Sequence, residues 1–98
     1  MRAAAGILLA AFAWPAWADD PVAAGKAVYD RYCMGCHGPT GEGMMPGMPN
    51  FALGERLDTT DRDLAERIRQ GNGVMPGFAG ILSDQEIEDV VLYLRSLL

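Results

Sequence analysis

Basic charge is scarce in this 98-residue sequence: 8 lysines and arginines stand against 13 aspartates and glutamates, a net charge of −5. So few cations assemble no basic groove, which speaks against a nucleic-acid partner. Histidine occurs once and cysteine twice. A structural zinc site wants four nitrogen or sulfur ligands and falls short here, and a scaffold of several disulfides is excluded. No segment alternates apolar and polar residues at period two, so strands and a βαβ unit are not expected. No apolar run reaches the ~20 residues of a membrane span.

The longest apolar run lies at the start, where Met1 and Arg2 precede the stretch Ala3 to Trp14, then Pro15 and the triplet Ala16, Trp17, Ala18. A short cationic start, a brief apolar stretch and an A-x-A end spell a signal peptide over residues 1–18, cleaved after Ala18, and hence export to the periplasm. The rival reading is a retained anchor, although no cysteine directly follows Ala18 to carry a lipid. Residues 19–98 then form one domain. A core that small is marginal unless a staple, metal or cofactor adds buried area.

The two cysteines and the histidine stand together as Cys33, Met34, Gly35, Cys36, His37. In an exported chain a C-x-x-C pair is a redox disulfide, half of a zinc site or a haem attachment point. Zinc lacks ligands, and a thioredoxin-like dithiol lacks its strand. Haem attachment uses all three side chains: each thiol adds across one haem vinyl, the two thiols lie one helical turn apart, and the imidazole that follows is the commonest haem ligand. The expected cofactor is one covalently attached haem c, with Cys33 and Cys36 as its thioethers and His37 on the iron.

Around the motif the spacing predicts three helices joined by Gly/Pro-rich loops, an all-α fold. The first starts at Asp20 as cap with Pro21 in the first turn, and Val22, Gly25, Val28, Tyr29 and Tyr32 share a face toward Cys33. Gly25 inside it costs about 1 kcal/mol against alanine, which is either a tolerated weakness or the close approach of another helix. The second is capped by Thr60, carries Leu64 and Ile68 on one face and stops at Gly71. The third opens with a Ser83/Glu86 capping box and repeats Ile87, Val90, Val91, Leu94 and Leu97. Residues 32–41, 43–54 and 70–83 carry no charged side chain, as expected of loops that wrap an apolar ring.

A second axial ligand is needed if the iron is to pass electrons without binding oxygen, and with no second histidine a methionine thioether is the natural choice. The candidates past residue 18 are Met34, Met44, Met45, Met48 and Met75. Met75 is favoured because a whole helix separates it from His37 and can carry the chain to the opposite face. Pro76, Gly77 and Phe78 follow it as a stiff turn with an aromatic placed to pack on the ring edge. The cluster at 44–48 remains the alternative.

Taken together, these features resemble a small bacterial class I c-type cytochrome, monohaem and His/Met ligated, over nearly all of residues 21–98. Gly25, Tyr29 and Cys33 resemble the family's N-terminal helix, whose glycine receives the C-terminal helix, with Val90 and Tyr93 at the contact positions. Pro49, Asn50 and Phe51 resemble the segment whose proline carbonyl accepts the proximal histidine's other ring N–H, which implies that Pro49 orients His37. The indole that bonds a haem propionate in many relatives is missing past residue 18, and Arg56, Arg69 and Asn72 are candidates in its place. A single lysine, Lys26, leaves no lysine ring for docking.

The resemblance implies an electron carrier rather than an enzyme, a monomer moving one electron between a donor and an acceptor redox protein such as an oxidase, reductase or dehydrogenase. A haem-based sensor or weakly peroxidatic protein with a labile Met75 is the alternative, and a relay held within one oxidase or dehydrogenase is a third possibility.

Overall fold

The computed structural model describes residues 20–98, so the segment expected to be a signal peptide lies outside the described residues. Four helices form among the described residues: α1 Pro21–Tyr32, α2 Met34–His37, α3 Asp61–Gln70 and α4 Asp84–Ser96, with a short 3₁₀ turn at Phe51–Leu53. No strand occurs among the described residues, only isolated bridges at Asn72 with Met75 and Ala79 with Leu82. The three expected helices begin where their caps place them. The Asp20 carboxylate accepts from the Val22 N–H at 3.0 Å, and the Thr60 hydroxyl accepts from the Asp63 N–H at 3.1 Å. At Ser83 both halves of the capping box close, Glu86 N–H to Ser83 Oγ at 3.1 Å and Ser83 N–H to Glu86 Oε1 at 2.8 Å. Each cap satisfies donors that a helix start leaves unpaired, worth about 1 kcal/mol.

Helices α1 and α4 cross at Gly25. A Cβ placed on Gly25 would come 2.0 Å from the Asp89 carbonyl oxygen and 3.0 Å from Tyr93 Cβ, so the glycine is there for close approach. Beside the crossing, the rings of Tyr29 and Tyr93 meet at 5.1 Å. The buried face of α4 runs through Ile87, Val90, Val91 and Leu94, and α3 adds Leu64, Ala65 and Ile68 to the same cluster. Each such apolar side chain contributes about 1.5–3 kcal/mol on burial. Tyr32 departs from the expected face: it is partly exposed, its ring edge-on to Phe78 at 6.1 Å.

Arg95 ties the end of α4 to the start of α3. Its guanidinium donates to Asp61 Oδ1 at 2.9 Å, to the Thr59 carbonyl at 2.6 Å and to the Leu57 carbonyl. This fork closes the loop that leads into α3 and helps hold α3 across from α1.

Candidate functional site

A cleft of about 800 Å³ opens between α1, α3 and the two Gly/Pro-rich loops, large for so short a chain and within the usual range for ligand pockets. Cys33 and His37 stand on one wall, Met75 and Val74 come from the loop after α3, and Val90 and Leu94 of α4 also line it. The sole histidine and the favoured thioether therefore line one cavity.

The C-x-x-C-H segment continues α1 by one turn. The Cys33 carbonyl accepts from the His37 N–H at 2.9 Å, the Gly43 N–H donates to the His37 carbonyl at 2.7 Å, and the Tyr29 hydroxyl donates to the Gly38 carbonyl at 2.5 Å. The backbone on both sides of His37 is thus held. Cys33 is half-buried, Cys36 is exposed, and no disulfide joins them. Burial, with Cys36 nearby as a lesser cause, pushes the Cys33 thiol up to about 11. A thiol of that kind is a poor redox nucleophile, which counts against the dithiol alternative.

Burial also holds the His37 imidazole below its ordinary pKa, so the neutral, ligating form is favoured at neutral pH. Its Nδ1 is buried without a hydrogen-bond partner, and the Phe51 ring lies 5.1 Å away at 32°. The expected bond to the Pro49 carbonyl is accordingly not made. Pro49 lines the cleft, but its carbonyl sits beside Gly43, 3.0 Å from where a Cβ there would lie.

Met75 is seated by a tight hairpin. Asn72 and Met75 exchange both backbone bonds at 3.0 Å around Gly73, whose φ of 62° suits the first central position of a II′ turn. The loop is fastened to α3 where Phe78 and Ala79 donate to the Ile68 and Arg69 carbonyls at 3.0 and 3.1 Å. In the other loop Pro46 and Gly47 form a turn, closed by Met48 N–H to the Met45 carbonyl at 3.1 Å. That turn puts Met48 on the cleft lining, whereas Met44 and Met45 are exposed outside it.

Phe78 is placed differently from the expectation. It is 7% exposed within the core, edge-on to Tyr32, and is not among the cleft's lining residues, because its own backbone anchors it to the end of α3. Among the expected propionate partners, Arg56 and Asn72 line the cleft. Arg69 turns away, donating to Asp84 at 3.1 Å and Glu66 at 3.2 Å. Arg67, not singled out from the sequence, lines the cleft in its stead. The available signal was its position three residues after Leu64, on the edge of the buried face. Charge is also closer than the charge-free loops suggested, since Asp58, Asp63 and Glu66 share that side.

The donors present fit a metal that arrives with its own equatorial ligands. Among the described residues no group of three His, Cys, Asp or Glu could hold a bare ion. One imidazole with an orphaned buried nitrogen, one soft thioether and two thiols a turn apart, Cys33 on the cleft lining and Cys36 exposed outside it, are what a porphyrin iron would need. An unpaired buried nitrogen costs about 1–3 kcal/mol, a cost that burial of a bound ring helps offset.

A family model described as "Cytochrome C oxidase, cbb3-type, subunit III" matches residues 20–94. The chain is 34% identical over 84 residues to a cbb3-type cytochrome c oxidase subunit CcoP of Azospirillum sp. (strain B510), covering 78% of this chain but only 28% of that subunit. It is 31% identical over 93 residues to a cytochrome c6 of Picosynechococcus sp., covering 86% of this chain and 79% of the relative. Among solved structures, the KustC0563 c-type cytochrome superposes with a TM-score of 0.68 at 28% identity, covering 74% of this chain and 95% of that one.

Proposed function

This chain belongs to the cytochrome c family, in the group of the cbb3-type oxidase subunit III model, and from that membership we propose that Cys33, Cys36, His37 and Met75 are the residues holding its haem. The chain is a c-type haem protein and an electron carrier. Haem c supplies the redox couple, one electron held as Fe(II) and released as Fe(III). The protein's own part is to bind, orient and dehydrate.

Cys33 and Cys36 would hold the ring covalently from the end of α1. His37 would hold the iron through its imidazole, kept neutral by burial, and Phe51 against its ring limits rotation. Met75 would supply a thioether to the iron, a soft donor that would favour the reduced state and raise the potential. Val90, Leu94, Leu64 and Ile68 line the cleft and exclude water, so little reorganisation accompanies a change of charge. No side chain is required to move a proton.

Residues 1–18 are a leader that exports the chain to the periplasm, which the cationic start and A-x-A end support. Among the described residues no helix is long and apolar enough to cross a membrane. The partners are a donor and an acceptor redox protein.

The observation that carries the reading is the convergence of the only histidine and Met75 on one cleft beside Cys33. The test is expression with cytochrome c maturation machinery, followed by a pyridine haemochrome spectrum and intact mass. One haem per chain with two thioethers is expected, and at most one thioether in Cys33→Ser. Colourless protein would overturn the reading.

A further inference from the structure

The loop that bears Met75 is closed at its base by two glycines that pack backbone to backbone. A Cβ on Gly71 would lie 2.6 Å from the Gly77 nitrogen, 2.6 Å from the Met75 carbonyl oxygen and 2.8 Å from the Pro76 carbonyl carbon. A Cβ on Gly77 would in turn lie 2.7 Å from the Arg69 carbonyl oxygen and 2.8 Å from that of Gln70. Backbone does not yield as the far end of a side chain does, so neither position has room for a methyl group. Gly73 and Gly80 differ: each has a positive φ, 62° and 84°, and nothing within 4 Å of where a Cβ would stand. Those two serve turns. Gly77 has no positive φ, so contact alone calls for glycine there. Gly71 answers to both needs, with φ at 79° and its N–H on the Arg67 carbonyl at 2.8 Å.

We propose that Gly71 and Gly77 are positioning residues for Met75, a clasp that keeps its thioether in the cleft and outside ligands off the iron. The proposal rests on the haem reading above. Residues 71–77 form a loop whose ends meet at the last turn of α3, where the Phe78 and Ala79 N–H groups are also fastened. Within it Asn72 and Met75 are bonded to each other in both directions. Gly71, Asn72, Val74 and Met75 line the cleft, so withdrawing the Met75 backbone means parting the two glycines or breaking the bonds beside them. A side chain held by a short loop on a rigid helix end gives up little freedom on binding a metal, and the support behind a ligand governs how firmly it stays. Val74, next to Met75, is left 88% exposed. The loop thus gains little from burial of its own tip and depends on its base. A tight base is what separates a carrier, whose iron stays closed, from a sensor whose methionine steps aside.

The test uses holoprotein carrying Gly77→Ala, Gly71→Ala or Gly80→Ala. Gly77→Ala adds the contact without a left-handed penalty, and Gly80→Ala adds the penalty without the contact. The readouts are the far-red charge-transfer band of a thioether-bound ferric haem, the imidazole affinity of the ferric protein, and the denaturant midpoint. Gly77→Ala and Gly71→Ala should weaken the band and bind imidazole about 10–100-fold more tightly, the usual range for losing a support behind a ligand. Gly80→Ala should lower the denaturant midpoint but keep the parent's band and affinity. In the parent, hydrogen exchange should find the Phe78 and Ala79 amides as protected as those of the last turn of α3, a measurement that needs no variant to fold. Coloured Gly77→Ala with the parent's band and affinity, an equal loss in Gly80→Ala, or faster exchange at Phe78 and Ala79 would overturn the clasp alone. A parent that is colourless, or that lacks the band altogether, would overturn the haem reading or its Met75 ligand.

Discussion

At the scale of single residues, the site depends on which thioether lines the cleft and on what steadies the imidazole. Met75 and Met48 both line it, but Met48 sits next to Pro49, on the loop that follows the histidine, whereas Met75 is presented by a hairpin beyond α3. Met75→Ala should therefore lower the reduction potential and let carbon monoxide bind the reduced protein rapidly. Met45→Ala, at an exposed position, should do neither, and optical titration distinguishes the two. Tyr29 steadies the motif from below through its hydroxyl bond to Gly38. Burial raises the Tyr29 pKa above its ordinary value. The folded state thus favours the protonated phenol, so its contribution is full below about pH 10, the ordinary tyrosine value, and is lost as pH rises beyond it. Tyr29→Phe should cost about 1 kcal/mol at pH 7 in denaturant unfolding, and its stability should fall less steeply than the parent's above about pH 10.

At the scale of elements, the crossing of α1 and α4 decides how the histidine wall is held. On an exposed helix, glycine to alanine stabilises by about 1 kcal/mol. At Gly25 a Cβ would fall 2.0 Å from the Asp89 carbonyl, so the helices must part, and overpacking of this kind costs about 1–3 kcal/mol. Gly25→Ala should accordingly destabilise the holoprotein in chemical denaturation, and a gain in stability would mean that the helices separate freely. Helix α3 matters for a different reason. Its last carbonyls are met by Phe78 and Ala79, so the loop bearing Met75 is an extension of a helix and not a free strap.

At the scale of the whole molecule, the fold is a thin shell around a cleft. The buried cluster is drawn mainly from one face each of α1, α3 and α4, and about 800 Å³ between them is left for a ring. A chain this short buries too little by itself to hold such a shell closed, and a group that binds only the folded state stabilises it by mass action. Protein made without haem, or with both cysteines replaced by serine, should show little helix and no cooperative melt by circular dichroism. A cooperative, helix-rich apoprotein would contradict this.

The sequence by itself determined the features that act over a few residues. Asp20, Thr60 and Ser83 each bond an N–H two or three positions on, so the helix starts were legible, and the C-x-x-C-H motif named its cofactor because two thiols and an imidazole must share one helical turn. Tertiary structure decided what depends on which face another element covers. Arg67 rather than Arg69 lines the cleft because Asp84, at the start of α4, draws Arg69 to the other side. The Phe78 N–H bonds the Ile68 carbonyl and its ring lies in the core, and the Pro49 carbonyl lies beside Gly43 while His37 Nδ1 is left without a partner. Apart from the place of Arg67 three residues after Leu64, those choices leave little trace in local spacing, since they are settled only when loops and helices pack against one another.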